Sequence, residues 1–108
     1  MVVVGGDTFP EYEGYEGEIT CDFAANYMQD FDIIKLYTST GALTGSTELK
    51  NEMNKGCGFL FTRAKGGTDR VRVNTPDGTE LIALNNDDIQ DLTNKDKYPV
   101  IILSLIHI

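Results

Sequence analysis

The 108-residue sequence predicts a single α/β domain, spanning residues 1–108, with a mostly parallel β-sheet and helices on both faces. Short β-branched or aliphatic runs alternate with segments in which apolar residues recur every three to four positions, in the order strand, helix, strand, helix, strand. Right-handed crossovers turn that order into a parallel sheet. A Pro-Asp-Gly turn between two alternating runs adds an inserted β-hairpin over about residues 70–84.

Each predicted strand is a short run of β-branched or aromatic residues bounded by glycine, proline or polar residues. The four core strands are residues 2–4, residues 31–37, residues 57–62 and a strand that opens at Val100. Residues 8–18 contain a proline and scattered glutamates, which is typical of a loop.

Three helices are predicted from apolar spacing and from residues that favour helix ends. The first is capped by Thr20 and runs from about residue 21 to residue 29 or 30; the second runs from Ser46 or Thr47 to a stop at Gly56; the third is short, capped by Asn86 or Asp87, and reaches Leu92.

The third strand is a buried run that is expected to end in a polar loop, residues 63–69. In an open α/β sheet, sites form in the loops at the carboxyl ends of parallel strands. The candidate ligand or substrate residues are the polar and glycine positions of those loops: Asp7, Ser39, Arg63, Lys65, Gly66, Gly67, Asp69 and His107.

The charge balance argues against nucleic-acid partners. Seventeen acidic residues against nine basic ones give a formal net charge of −8, which repels phosphate backbones. No apolar run reaches the roughly 18 residues that a membrane span requires. We therefore expect no nucleic acid and no membrane span.

No metal and no cofactor are expected. Four glutamates in or beside the predicted loop, Glu11, Glu13, Glu16 and Glu18, leave calcium as an alternative, but the EF-hand spacing is absent. The spacing of Cys21 and Cys57 fits no zinc pattern. Both cysteines are expected to be small buried residues, and a disulfide between them is the alternative in a secreted protein.

Common phosphate and nucleophile motifs are missing. Neither Gly5-Gly6 nor Gly66-Gly67 has the glycine spacing of a dinucleotide turn or a P-loop. A serine or cysteine nucleophile needs a histidine within hydrogen-bond reach, and the sole histidine is His107, next to the end of the chain.

Three strings resemble the gingipain-type cysteine peptidases, which have a caspase-like fold. They are LYTSTG at 36–41, NKGCGFLFT at 54–62 and NKDKYPVIILS at 94–104. The resemblance extends loosely from Gly5 to Ser104. It implies a caspase-like three-layer sandwich, hydrolysis of peptide or protein substrates by a cysteine and a histidine, and a secreted or cell-surface parent protein.

In that family a Gly-His-Gly loop after the third strand carries the catalytic histidine, and the catalytic cysteine follows the Tyr-Pro-Val-Val-Leu-like run by two to three residues. The histidine position falls at Lys65 or its neighbour Ala64, and the cysteine position falls at Leu105 or Ile106. Lysine is a base only where its pKa is strongly lowered, and an aliphatic side chain is no nucleophile. No catalytic pair is intact, so the resemblance implies an inactive peptidase domain.

The chain begins and ends in apolar strands and is expected to be a C-terminally incomplete fragment whose uncovered last strand favours self-association. The string from Leu103 to Ile108 also resembles a translated sequencing adapter, so the cysteine position is either substituted or cut off. The oligomeric state of the protein stays open.

Two alternatives to the peptidase remain. One is a non-catalytic binding or surface module of the same fold. The other is a flavodoxin-like α/β domain that binds a small anion through Arg63, Lys65 and the backbone of Gly66-Gly67.

Overall fold

The computed structural model describes residues 1–9 and 11–107, and within them the chain forms six strands and three helices. The strands are β1 (Val2–Gly5), β2 (Ile34–Tyr37), β3 (Phe59–Gly66), β4 (Arg70–Asn74), β5 (Glu80–Asn85) and β6 (Val100–His107). The helices are α1 (Glu16–Asn26), α2 (Thr47–Lys55) and α3 (Asn86–Gln90). The α/β class and the order of elements match the sequence prediction.

The strands form one curled sheet that is mixed rather than mostly parallel. β1 pairs in parallel with β2 and β3, and β6 pairs in parallel with β3, whereas β4 and β5 are antiparallel. The prediction of a mostly parallel sheet is wrong because the inserted hairpin, β4 and β5, joins the sheet instead of lying beside it. An isolated bridge between Asp7 and Asn74 also ties the hairpin to the segment after β1.

β3 is longer than predicted and continues through the first half of the expected loop. Leu60, Thr62, Ala64 and Gly66 are all buried and alternate with half-buried residues, which is the period of a strand with one covered face. The last residues of β3 pair with β6 on one edge and with β4 on the other. Neighbours on both edges therefore keep the polar and glycine positions 63–66 in the sheet.

The first helix begins at Glu16, five residues before the predicted start. Glu16 and Glu18 lie in its first turn, where carboxylates are favoured by the positive end of the helix dipole. Thr20 does not cap the helix, because its hydroxyl donates to the Glu16 carboxylate from within the helix at 3.1 Å. The prediction that residues 16–18 belong to a loop is therefore wrong.

β2 is shorter than predicted and begins at Ile34.

A buried carboxylate, that of Asp88, joins the hairpin to the second helix. Asn85 caps α3, one residue before the predicted cap, and its side chain and that of Asp88 form a reciprocal capping box. The Asp88 carboxylate also accepts a hydrogen bond from Ser46 Oγ at 3.0 Å and pairs with Lys50 Nζ at 3.1 Å. The end of β5 and the start of α2 thus meet at one side chain.

The core has two parts because successive residues of β1 face opposite sides of the sheet. Val3 packs with Cys21 of α1 and with Tyr37. Val2 and Val4 belong to the larger cluster on the other face, which includes Leu49 and Met53 of α2 together with Leu60 and Ala64 of β3. Helices therefore cover both faces of the sheet.

Gly17 allows α1 to lie directly on the segment that follows β1 and on Arg63 of β3. A Cβ added at this position would lie 2.6 Å from Gly6 O, 2.9 Å from Thr8 Oγ1 and 3.1 Å from Arg63 O. We expect Gly17→Ala to lower the free energy of unfolding in urea by about 1–3 kcal/mol, even though alanine by itself favours a helix by about 1 kcal/mol.

Gly58→Ala is the matched control for this prediction, because nothing lies within 4 Å of a Cβ added there. If Gly17→Ala were no more destabilising than Gly58→Ala, the close packing of α1 at Gly17 would be refuted.

Candidate functional site at the carboxyl ends of the strands

The two positions that the family resemblance assigns to a catalytic pair are neighbours across one ladder. β3 and β6 pair in parallel, and their register places Lys65 opposite Ile106 and Ala64 opposite Leu105. Adjacent strands are about 4.8 Å apart, so a histidine and a cysteine at these positions would come within reach of each other. At these two neighbouring positions the sequence has lysine and isoleucine.

A second cation lies next to Lys65 on the other edge of β3. The register of β3 and β4 places Arg72 opposite Lys65. Arg72 Nη1 lies 3.3 Å from the Glu80 carboxylate, whereas its Nε is buried and has no hydrogen-bond partner among the described residues. Lys65 thus lies beside a guanidinium whose Nε has no partner among the described residues.

The segment after β1 is buried and contains an unused acceptor. Asp7 N donates to Asn74 O at 3.0 Å, and Thr38 Oγ1 donates to the same carbonyl at 2.9 Å. Asp7 Oδ1 and Thr8 Oγ1 are buried and find no hydrogen-bond partner among the described residues. Leaving such an atom unpaired costs about 1–3 kcal/mol.

Glu18 fixes the loop that follows β2. This carboxylate is buried in α1, and it accepts hydrogen bonds from Ser39 N at 2.9 Å and from Ser39 Oγ at 2.6 Å. The sequence named Ser39 as a site residue but placed Glu18 in an acidic solvated loop. The spacing of the residues could have revealed the position of Glu18. It lies three residues before the buried Cys21, which is on the same face of the helix.

Arg63 connects three elements instead of lying in a loop. Its Nε donates to Glu16 Oε1 at 3.0 Å, and its Nη1 donates to Ser104 Oγ at 2.9 Å, so α1, β3 and β6 meet at this side chain. The ion pair is partly exposed, and its contribution to stability is therefore modest.

The remaining candidate positions are used in turns and ladders. Gly66 pairs with Val71, and Gly67 N donates to Arg70 O at 2.9 Å. Asp69 accepts two hydrogen bonds from Arg70, which lower the pKa of its carboxyl. Several of the groups that an anion would require are therefore already bonded within the chain.

The structure brings some of the predicted residues together and leaves others apart. Asp7 and the loop that holds Ser39 meet through Asn74 O, and Arg63 and Lys65 lie in one strand. His107 is the last described residue, and its backbone pairs with Gly66. The side chains of Ile106 and His107 lie outside the described part of the structure.

Neither cysteine replaces the missing nucleophile. The Cys21 thiol donates to Val4 O at 3.2 Å, and burial raises its pKa to about 12. Burial also raises the pKa of the half-buried Cys57 thiol. Both thiols are free, and they belong to core clusters on opposite faces of the sheet, so the disulfide alternative is not formed.

Among the described residues, no group of three histidine, cysteine or acidic side chains is arranged to hold a metal ion. Calcium binding by residues such as Glu11 and Glu13 stays an untested alternative. In residues 1–9 and 11–107, the helices are too short or too polar to cross a membrane.

These features define an α/β domain with its candidate site at the strand ends, where β3 and β6 meet. The family model of peptidase family C25 matches residues 1–104, so the chain belongs to this family, which is the gingipain family of cysteine peptidases. The match includes Lys65 and ends at Ser104, before Leu105 and Ile106. Neither the curated proteins nor the solved structures include one that matches the chain at a significant level.

The burial of Cys21 can be tested by alkylation. Because its pKa is about 12, almost no thiolate is present at pH 8. In the Cys57→Ser variant, we expect iodoacetamide to leave the folded chain unmodified at pH 8 and to alkylate Cys21 once urea unfolds the protein. Mass spectrometry measures the alkylation rate of Cys21 in the folded and in the unfolded chain. Equal rates in the two conditions would contradict the burial of Cys21.

The role of Glu18 can be tested by its removal. We expect Glu18→Ala to lower the free energy of unfolding by about 1–3 kcal/mol, because it leaves Ser39 N and Oγ without their acceptor. Glu13→Ala removes an equal charge from an exposed position and is the control. Equal losses for the two variants in urea denaturation would show that Glu18 does not hold the loop.

Proposed function

We propose that the chain is a caspase-like, peptide-binding domain of a C25 cysteine peptidase that does not hydrolyse peptide bonds with its present sequence. The observation that carries the proposal is the register of β3 and β6, in which Lys65 and Ile106, the positions that the family resemblance assigns to the histidine and the cysteine, are neighbours. Under this proposal the two positions keep their neighbourhood in the sheet but have neither a thiol nor an imidazole.

Peptide-bond cleavage by a cysteine peptidase needs two steps that this chain does not supply. A thiolate must attack the scissile carbonyl, and a histidine must take the thiol proton and then give it to the leaving amine. Isoleucine has no nucleophilic atom. A protonated lysine donates hydrogen bonds but accepts no proton from a thiol.

The same residues are compatible with binding of a peptide. Lys65 is a donor that suits a peptide carbonyl or a carboxylate side chain, and the cationic Arg72 lies opposite it in the sheet. These cations support the binding part of the proposal, which corresponds to the non-catalytic binding or surface module of the same fold.

Helices on both faces of the sheet and a site at the strand ends support the caspase-like part of the proposal. A secreted or cell-surface location of the parent protein is proposed from the family alone, since such peptidases typically act outside the cell.

The absence of catalysis is tested directly with fluorescein-labelled casein as an unstructured substrate. We expect the 108-residue chain to release no more fluorescence than buffer, with or without added dithiothreitol. Release that requires dithiothreitol and is abolished by iodoacetamide would overturn the proposal.

The assignment of positions 65 and 106 is tested by installing the pair. In a Cys57→Ser background, Lys65→His with Ile106→Cys should give a cysteine that iodoacetamide alkylates at a pH about one unit or more lower than in the control, because an adjacent imidazolium stabilises the thiolate. The control carries Lys65→Met with Ile106→Cys. Identical pH profiles would show that the two positions do not form a pair, whatever the casein assay shows.

A further inference from the structure

The side of α1 that faces away from the sheet carries large apolar side chains that are exposed. They follow one another at intervals of four residues, so they lie on successive turns along one side of the helix. This set, called the α1 row, consists of Tyr15, Ile19, Phe23 and Tyr27, which expose 36%, 63%, 65% and 77% of their surface. The opposite side of α1 is buried against the sheet through Gly17, Cys21 and Ala25.

The rings at the C-terminal end of the α1 row are already packed against each other. The ring centroids of Phe23 and Tyr27 are 5.4 Å apart, and the rings meet edge to face. Side chains that are ordered in the free protein lose little freedom when a partner binds. Contiguous exposed apolar surface of this kind is typical of protein interaction sites.

The net charge of the protein comes from the segment that contains α1. Residues 1–34 contain eight acidic residues and no lysine, arginine or histidine. Residues 35–108 contain nine acidic and nine basic residues, so their formal charges cancel. The whole net charge of −8 therefore belongs to residues 1–34.

Exposed carboxylates lie at both ends of the α1 row. Glu11 and Glu13 come just before the helix, and Asp30 comes three residues after Tyr27. All three are exposed, and none of them forms an ion pair within the described part of the chain. Two carboxylates within α1 itself are already paired with cations. The unpaired negative charge therefore lies beyond the two ends of the row.

We propose that the α1 row binds a basic amphipathic helix of a partner protein. The apolar side of that helix packs on the row, and its lysine or arginine residues lie near Glu13 at one end and Asp30 at the other. The row is about 18 Å long from Tyr15 to Tyr27, so the partner helix has about 12 residues or more. This surface faces away from the sheet, and the proposal does not depend on peptide binding at the strand ends.

Charge selects a basic partner over the other classes of occupant. A second copy of this chain would bring the same carboxylates to the contact, and like charges across an interface weaken it. Anionic lipids and nucleic acids would be repelled for the same reason. A basic helix is attracted by the charge of residues 1–34 and covers the apolar side chains between the carboxylates.

Titration calorimetry with a peptide probe tests the proposal. The probe is an amphipathic helical peptide of leucine and lysine, and a peptide of leucine and glutamate with the same pattern is its control. We expect the leucine–lysine peptide to bind with a dissociation constant of about 1–100 µM, and more weakly at about 0.5 M than at 0.05 M NaCl. No binding, or equal binding of the two peptides, would overturn the proposal.

The use of the apolar surface is tested by two matched variants. Tyr27 and Tyr98 are both 77% exposed, but Tyr98 lies outside the α1 row, beside an apolar cavity of about 410 Å³. Tyr27→Ser should raise the dissociation constant of the leucine–lysine peptide about fivefold or more, and Tyr98→Ser should change it less than about twofold. Equal constants for the two variants would show that the peptide does not bind to the α1 row.

The use of the carboxylates is tested by removing two charges in two places. Glu13→Gln combined with Asp30→Asn should raise the dissociation constant about threefold or more at 0.05 M NaCl. Asp91→Asn combined with Asp96→Asn removes the same charge from exposed positions outside residues 1–34 and is the control. Equal effects of the two double variants would mean that only the net charge matters, which contradicts the proposed site.

Other occupants of the α1 row give different results, and each of them would overturn the proposal. If a second copy occupies the row, sedimentation velocity will show self-association that Tyr27→Ser weakens and Tyr98→Ser does not. If a membrane occupies it, the chain will float with phosphatidylcholine vesicles and Tyr27→Ser will not. If other parts of the parent protein cover the row, the leucine–lysine peptide will bind the 108-residue chain but not the parent protein.

Discussion

The pairing of β3 along both of its edges is the constraint on which the rest of the structure depends. β6 occupies one edge over the full length of the strand, while β1 and then β4 share the other edge. Because backbone N–H and C=O groups need partners when they are buried, this arrangement decides where β3 ends. It also decides which residues of β6 lie beside Lys65, and therefore what the candidate site contains.

The order of helices and strands could be predicted from the sequence, but the pairing of the strands in the sheet could not. Hydrophobic spacing predicted the second helix almost to the residue, because Leu49 and Met53 lie four apart and Gly56 ends the helix in a positive-φ conformation. It missed the first turn of the first helix, which has carboxylates at its start and packs through Gly17 on the segment after β1 and on Arg63 of β3. The mixed sheet was missed because a hairpin signal is local and says nothing about which strand edge the hairpin will pair with.

For the candidate site too, the sequence predicted individual residues but not how they pair. The family resemblance named Lys65 and Ile106 as the two catalytic positions, but only the register shows that these residues are neighbours across a ladder. Ser39 was named without its partner, since the hydrogen bonds from Glu18 join residues 21 positions apart. What local patterns cannot reveal is long-range pairing, and in this fold the candidate site is assembled almost entirely from such pairs.

The contacts of Asp88 have a consequence for how the domain comes apart. One carboxylate holds the end of the hairpin, the cap of the third helix and the first turn of the second helix, and it is buried among them. Releasing the hairpin would leave that charge without its partners, which is strongly unfavourable inside a protein. The hairpin and the second helix therefore belong to one cooperative unit, and opening one of them opens the other.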